Sequence, residues 1–285
     1  MSKNNRKFWE SAAANDSTFI QYYNRLMEMA VTRIEWKNLP ETVDARFLEL
    51  SLFTDGKALY FNDDVLGDLA LRCTAYGKFN IYNIPTRRRA YASNGYQANR
   101  TEDDSVIIYN NYIRTPSKLD VEMYAMRLYN IDRTIDVNVN AQKTPVLIQC
   151  SENQRLTFEN IYMKWQGNMP LIMASDDLRA DGFKVLSTGA PYVAGQLYTL
   201  KTQIWNEAMT YLGITNLSSD KKERMITDEV NKNLGGTYSS RYSALEARRQ
   251  AADKINRMFG TNIEVDFRDF DEQETAMPQI GGIPA

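Results

Sequence analysis

The sequence contains no histidine, and this absence excludes more kinds of site than any other property of its composition. Catalytic triads of the Ser-His-Asp and Cys-His types, imidazole-ligated zinc sites and the usual general base near neutral pH all require histidine. Two cysteines are present, and Cys73 and Cys150 lack the spacing of metal ligands, so we expect both to be buried, reduced thiols. Most enzyme classes are therefore disfavoured, although carboxylate or lysine chemistry remains open.

Long apolar runs and nucleotide-binding loops are missing as well. No stretch approaches the ~18 apolar residues that a membrane span needs, and the N-terminal cations are not followed by the apolar core of a signal peptide. We therefore expect a chain that is neither membrane-bound nor exported. Gly235 and Gly236 lack the spacing and the Lys-Ser/Thr pair of a phosphate-binding loop, so no ATPase is indicated.

Charge is nearly balanced overall but unevenly distributed. The formal net charge of the 285 residues is −2, which does not indicate a strongly basic nucleic-acid binder. Residues 221–257 carry nine Lys and Arg against five Asp and Glu, whereas residues 261–285 carry six acids and the single Arg268. This distribution fits a charged partner that is approached without being held tightly.

Four segments have the 3-4 periodicity of amphipathic helices. They cover residues 17–39, 117–141, 195–213 and 242–260. Pro40 ends the first, and a short further helix is expected within residues 41–53. Ser117 and Asp120 have the spacing of a capping box at the start of the second, and Gly260 is placed to end the fourth.

Strand-like sequence occupies two other regions. Between residues 55 and 115, short pieces such as KALYF, KFNIYN and SVIIYNN alternate with Gly, Asn and Asp, which predicts a β-rich region. The three arginines at 87–89 are expected in a loop here, more typical of a solvated surface than of a nucleic-acid site. After Pro145, residues 144–190 predict a small α/β insertion, with strands in VLIQC, PLIMA and FKVLS. The predicted fold class is α+β, mainly α.

The third helix has two distinct faces. Its apolar stripe consists of Leu197, Leu200, Ile204, Ala208 and Leu212. Its polar stripe, which carries no charge, consists of Gln196, Thr199, Gln203, Asn206 and Thr210. The polar stripe is either an ordinary solvated or interhelical face, or a surface past which something charged slides.

Two classes of function remain open on these residues alone. One is a structural subunit that handles DNA, and the other is a carboxylate- and metal-dependent enzyme such as a nuclease. The acidic pairs at 63–64, 103–104 and 176–177 lie in turn-like contexts, where Asp is common for conformational reasons. We therefore assign no catalytic residue, no metal ligand and no cofactor. The polar segment 216–236 is too long for a tight connector and predicts a mobile, functional loop.

Six segments, in chain order, resemble the upper collar proteins of phi29-like tailed bacteriophages, which are also called connectors or portal proteins. They are IEWKNLP at 34–40, VIIYNN at 106–111, NAQKTPVLI at 140–148, APYV at 190–193, WNEAMTYLGI at 205–214 and KKERMITDEV at 221–230. The resemblance runs from about residue 15 to residue 268. It implies a non-enzymatic subunit, twelve of which form a ring at one vertex of the phage head, through which double-stranded DNA is packaged, retained and ejected.

The resemblance also implies a division of the chain. Residues 1–14 would be a flexible N-terminal arm, and 15–143 the wing with the first stem helix at 117–141. Residues 144–190 would form the α/β clip, 191–215 the second stem helix, 216–236 a channel (tunnel) loop, 237–268 a wing helix and strand, and 269–285 a flexible acidic tail. The stretch NVNAQKTPVLIQC would then join stem to clip, which explains why it carries one lysine and no catalytic group.

Sites and partners follow from the same resemblance. The tunnel loop implies that Lys221, Lys222, Arg224 and Lys232 contact DNA, and the polar stripe would line the channel. The arm cations Lys3, Arg6 and Lys7 would contact a packaging RNA or the motor. The implied partners are other copies of the chain, double-stranded DNA, major capsid and scaffolding proteins, a lower collar or tail protein, a packaging ATPase and a packaging RNA. The implied location is the virion, after assembly in the host cytoplasm.

Overall fold

The computed structural model describes residues 3–142, 146–148, 183–185, 191–215 and 227–268. The helices are α1 (Lys3–Thr32), α2 (Ala45–Asp55), α3 (Lys118–Ala141), α4 (Ala194–Leu212) and α5 (Thr227–Phe259). The strands are β1 (Ile34–Lys37), β2 (Lys57–Asp63), β3 (Gly67–Phe79), β4 (Pro85–Tyr91), β5 (Gln97–Thr101), β6 (Ser105–Tyr109), β7 (Val146–Ile148), β8 (Phe183–Val185) and β9 (Glu264–Phe267). The predicted α+β class is confirmed. Two compact units are formed, residues 1–129 with 202–285, and residues 130–201.

The five-stranded antiparallel sheet of the first unit is strongly curled. Its strand order is β5-β4-β3-β2-β6, so β5 and β6 lie at opposite edges. Only residues 102–104 connect these two strands, so the edges must come close together. Across the curl, the guanidinium of Arg100 on β5 lies 4.7 Å from the ring centroid of Phe61 on β2. The hydroxyl of Tyr96 donates to Asp63 Oδ2 at 2.6 Å.

Both faces of the curled sheet are buried, in two separate clusters. On β2, Ala58 and Tyr60 join a core with α2 and α5, whereas Leu59 and Phe61 face the interior of the curl. This explains why the sequence of β2 contains the continuous apolar run ALYF rather than an alternation of apolar and polar residues. Cys73 lies in the inner cluster as a buried free thiol, as predicted, and burial raises its pKa to about 11. Cys150 lies outside the described residues.

A buried ion pair joins α5 to α2. Arg248 and Glu49 are 1% and 3% exposed, and Arg248 donates from Nε and Nη2 to the two carboxylate oxygens, each at 2.8 Å. Trp36 on β1 donates to Glu49 Oε1 at 2.7 Å. Arg248 Nη1 also donates to the carbonyl oxygen of Asn110, directly after β6, at 2.6 Å. The pair therefore connects β1, α2, α5 and the end of the sheet.

The carboxyl end of α4 is held by two arginines. Arg33 is buried and donates from Nη1 to the carbonyl oxygen of Leu212 at 2.5 Å, where a cation is favoured by the helix dipole. Gly213, at φ +73°, ends the helix, and Arg241 Nε donates to its carbonyl oxygen at 3.2 Å. A Cβ at Gly213 would lie 2.9 Å from Arg241 Cα, so only glycine allows α4 to end against α5.

Helices α3 and α4 make contacts within each unit. In the first unit, Tyr211 donates to Asp120 Oδ2 at 2.6 Å, and Arg127 and Glu207 form an ion pair at 3.0 Å. The capping box expected from Ser117 and Asp120 is wrong in one respect. The amide of Ser117 donates to the carbonyl oxygen of Phe53 at 3.1 Å, because α2 lies against the start of α3.

The second unit contains the adjoining ends of α3 and α4 and the β7–β8 pair. Lys201 and Asp132 form an ion pair at 2.7 Å. Asn138 donates to the carbonyl oxygen of Pro191 at 2.8 Å and accepts from the amide of Val193 at 3.0 Å, which fixes the chain as it enters α4. Strands β7 and β8 lie within the predicted strand segments VLIQC and FKVLS, and they pair in antiparallel orientation. The rest of the predicted insertion lies outside the described residues.

The first helix differs from the prediction at both ends. We expected residues 1–14 to be an arm and residues 17–39 to be helical, but α1 begins at Lys3 and ends at Thr32. Alanines at 12–14 favour helix, and no Gly or Pro interrupts the segment. Residues 34–37 instead form β1, which pairs with β9 more than 220 residues away, and this tertiary pairing overrides the helical periodicity.

Two further expectations are corrected. Arg87, Arg88 and Arg89 lie on β4 rather than in a loop, and alternation along the strand leaves only Arg88 buried. The predicted loop 216–236 is helical from residue 227, since α5 continues through Gly235 and Gly236. A Cβ at Gly236 would lie 3.1 Å from Thr210 Cγ2, so this glycine serves close helix packing rather than a turn. Residues 216–226 lie outside the described part of the chain.

Replacing Gly56 by alanine should destabilise the first unit more than replacing Gly95. Both glycines have positive φ, +74° and +90°, which costs alanine about 1–2 kcal/mol. A Cβ at Gly56 would also lie 2.7 Å from the backbone nitrogen of Pro116, whereas nothing lies within 4 Å of one at Gly95. Urea unfolding at fixed chain concentration should therefore show a loss of about 3 kcal/mol or more for Gly56→Ala. Equal losses for the two variants would contradict the close contact.

Alkaline pH should weaken the packing of α4 on α3 through Tyr211. Burial and the hydrogen bond to Asp120 raise the pKa of Tyr211 to about 12, above its ordinary value of 10.0. The folded state therefore favours the protonated phenol, so its contribution is complete below pH 10 and is lost as pH rises towards 12.

Tyr211→Phe tests this pH dependence. At neutral pH the variant should lose about 1 kcal/mol of unfolding free energy, because a hydrogen bond is removed. From pH 10 to 12 its stability should fall less steeply than that of the wild type. Tyr82→Phe, at an exposed tyrosine, is the matched control and should follow the wild type. Parallel profiles for all three proteins would show that Tyr211 is not the titrating group.

Candidate functional site

The predicted DNA-contacting cations are placed only in part. Lys221, Lys222 and Arg224 lie outside the described residues. Lys232 lies on α5, in its second turn, rather than in a loop. The structure therefore does not determine whether these four side chains lie together in one site.

The polar stripe lies on α4, along one side of the helix. Gln196, Thr199 and Gln203 are exposed, whereas Asn206 and Thr210 are half-buried. Thr210 faces Gly236 of α5, so this end of the stripe is a helix contact. On the opposite side, Ile204, Ala208 and Leu212 are buried as predicted. Leu200 is 43% exposed and does not belong to the core.

Both charges of α4 are directed to α3. Lys201 pairs with Asp132, and Glu207 pairs with Arg127. The exposed part of the polar stripe therefore presents only amide and hydroxyl groups. Such groups can form hydrogen bonds with phosphate oxygens but supply no counter-charge, and most of the salt-dependent affinity for DNA comes from such charges. A surface of this kind can hold a polyanion only weakly.

The N-terminal cations share one face of α1. Lys3, Arg6 and Lys7 have the i, i+3, i+4 spacing that places residues on the same side of a helix. These three residues therefore lie in a helix rather than in the flexible arm that the resemblance implies.

Catalytic or metal-binding chemistry receives no support from the described part of the chain. No group of three or more Cys, Asp or Glu side chains is arranged there to hold a metal ion. Among the helices of that part, none combines the length and the apolar character needed to cross a membrane.

One feature of the first unit was missed by reading the sequence. A groove of about 690 Å³ runs between β6 and α5, and the buried Arg88 lines it. The signal was present, because a strand through Arg87, Arg88 and Arg89 must turn the middle residue to the opposite face. Ala90, two residues further along β4, is buried as well, which fits the alternation of side chains along the strand.

Comparison with solved structures shows a related fold. A chain in the portal and tail of native bacteriophage P68 is 16% identical, with a TM-score of 0.52 and coverage of 96% of this chain and 94% of that chain. An HK97-family phage portal protein from Corynebacterium diphtheriae is 12% identical, with a TM-score of 0.40 and coverage of 92% and 95%. A chain in the virion of a native gene transfer agent particle is 9% identical, with a TM-score of 0.46 and coverage of 87% and 79%. The first likeness shows a shared fold, and the other two are too weak to add to it.

Sequence comparison identifies the family. The family model described as Phage Connector (GP10) matches residues 5–270, nearly the whole chain. This match agrees with the six sequence segments noted above, and nothing supports the nuclease alternative. The chain belongs to the Phage Connector (GP10) family: it is a phage portal protein, a structural component of the head–tail connector of the virion and not an enzyme.

Proposed function

We propose that copies of this chain form a closed ring between the phage head and tail, and that double-stranded DNA passes through its channel. The observation that carries this proposal is the exposed, uncharged polar face of α4. Both charged residues of this helix form ion pairs with α3 instead. In this proposal α3 and α4 form the stem around the channel. The curled sheet with α5 forms the wing, and the region between β7 and β8 forms the clip.

The overall charge supports passage of DNA rather than retention. Each copy carries a formal charge of −2, so a ring of twelve would carry −24. An acidic ring repels phosphate on average, and an uncharged α4 face limits the strength of local contacts. DNA can then move past many weak contacts, and the few cations of the loop hold it when movement stops.

An exposed apolar stripe on α3 supports the closed ring. Leu119, Met123 and Met126 follow one another at spacings of four and three residues, and they are 69%, 47% and 44% exposed. Apolar residues on one helix face need a covering partner, and a ring supplies one on the flank of every copy. We propose that a neighbouring copy covers this stripe.

The remaining partners are also proposals. We place Lys221, Lys222, Arg224 and Lys232 at the channel, where they contact DNA. The basic face of α1, with Lys3, Arg6 and Lys7, is proposed to contact a packaging RNA or the packaging ATPase. The ring would contact major capsid and scaffolding proteins on the head side and a lower collar or tail protein on the other side.

Ring formation is tested by negative-stain top views and native mass spectrometry of the purified full-length chain. Rings with a central hole are expected, with twelve copies as the proposed number. Met123→Glu should give mainly single copies, because each contact along the stripe would bury a charge without a partner. Glu122→Gln, at the adjacent exposed position, is the control and should still form rings. A wild-type chain that stays monomeric at micromolar concentration would contradict the proposal.

Replacing Lys221 and Lys222 by alanine should reduce DNA retention without preventing assembly. Surface substitutions usually change stability by no more than about 0.5 kcal/mol, so rings should form normally. Every copy would lose two positive charges, which weakens the salt-dependent contact with phosphate. The measurement is the DNA retained per head after packaging is stopped, at several salt concentrations.

The matched control removes two exposed cations far along the chain, by Lys37→Ala and Lys78→Ala. Its heads should retain DNA as the wild type does. If the Lys221/Lys222 variant retains DNA equally well, these lysines do not contact it. If its rings fail to form, the loop takes part in assembly instead.

A further inference from the structure

The groove between β6 and α5 lies along an open edge of the curled sheet. Within the described residues β6 pairs only with β2, and the groove occupies its other side. The second wall is one face of α5, which includes Ala251, Lys254 and Met258. The groove volume of about 690 Å³ is typical of sites that bind a ligand or a peptide segment.

The backbone of β6 presents hydrogen-bonding groups to this groove. The carbonyl oxygen of Ser105 points away from β2, since it accepts from Arg88 Nη1 at 2.5 Å. The amide of Asn110 points towards β2, since it donates to the carbonyl oxygen of Gly56 at 3.0 Å. Backbone groups alternate in direction along a strand, so those of Ile107 and Tyr109 point into the groove. An additional strand could pair with them.

The charge of the groove favours an acidic occupant. Arg88 is 5% exposed, and its guanidinium donates to the carbonyl oxygens of Pro85 and Ser105 and to the hydroxyl of Ser105. In the described part of the chain no carboxylate lies within 4 Å of its guanidinium. Desolvation by burial lowers the pKa of Arg88 below its ordinary value, although the nearby Glu102 and Asp104 act in the opposite direction. Lys254, Arg257 and Arg114 line the same groove and, with Arg88, outnumber its two acids, Glu102 and Asp103.

We propose that residues 269–285 of the same chain bind in this groove as an extended strand along β6. The segment DFDEQETAMPQIGGIPA contains four acids and no base, so a carboxylate can pair with Arg88 and others with the cations of the rim. Its apolar residues can cover the exposed backbone edge, and its prolines and glycines disfavour a helix.

The segment is long enough to reach the groove. The chain leaves β9 beside Arg241, whose guanidinium lies 4.2 Å from the ring centroid of Phe267. Along α5, the 16 residues from Arg241 to Arg257 span roughly 24 Å. Seventeen extended residues span up to about 56 Å. The docked segment would shield an open strand edge, which otherwise invites pairing between copies.

Photo-crosslinking of the full-length chain tests this docking. Benzoylphenylalanine is placed at Met258, which lines the groove and is 40% exposed, and the crosslinked peptides are identified by mass spectrometry. The expected product joins position 258 to a peptide from residues 269–285. The same probe at Ile20, which is 50% exposed on α1, is the control and should not capture that segment.

Two further experiments test which copy supplies the docked segment and whether the charges of the groove hold it. Labelled (¹⁵N) and unlabelled copies are mixed before ring assembly, and the product should contain one isotope only. Lys254→Glu with Arg257→Glu should lower the yield several-fold, whereas the control Lys37→Glu with Lys78→Glu should leave it unchanged. Three results would each overturn the proposal: a mixed-isotope product, a crosslink to another part of the chain, or a crosslink yield that is unchanged by the Lys254→Glu and Arg257→Glu substitutions.

Discussion

The buried pair of Arg248 and Glu49 is the contact on which the arrangement of the first unit depends. Its carboxylate also accepts from Trp36, and its guanidinium also donates to the carbonyl oxygens of Asn110 and Ala244. Loss of either charge would leave the other buried without its partner, which typically costs 3–5 kcal/mol, or about half the stability of an ordinary domain. The four elements that meet here are separated by up to about 200 residues in sequence, so this contact determines their order in space.

The position of α4 depends indirectly on that arrangement. Arg33 lies between α1 and β1, and Arg241 lies on α5, so both side chains that hold the end of α4 are themselves fixed by the core. Tyr211 and Glu207 then fix the side of α4 that faces α3. On the remaining side, the uncharged residues Gln196, Thr199 and Gln203 are exposed. A structural protein needs this kind of precision because the same face is repeated in every copy.

The sequence predicted the parts of the fold that local patterns determine. The periodicity of apolar residues located α3 and α4. Short apolar and aromatic segments separated by Gly, Asn and Asp located the five-stranded sheet. The pairing of Ile34–Lys37 with Glu264–Phe267 could not be found in this way, because it depends on residues at the other end of the chain. Gly236 has the sequence signature of a turn, yet its role depends on the approach of Thr210. The proposed site remains a prediction from resemblance, since the loop cations have no local pattern that separates them from ordinary surface.

Helix α5 has a mechanical consequence that follows from its length. It continues without interruption from Thr227 to Phe259, and the 21 residues between Thr227 and Arg248 span roughly 32 Å. An α-helix resists stretching, so a displacement applied at Thr227 is transmitted along its axis. Arg248 is anchored to Glu49 on α2 and to the carbonyl oxygen of Asn110 at the end of the sheet. A displacement along the axis of α5 would therefore load these buried hydrogen bonds first.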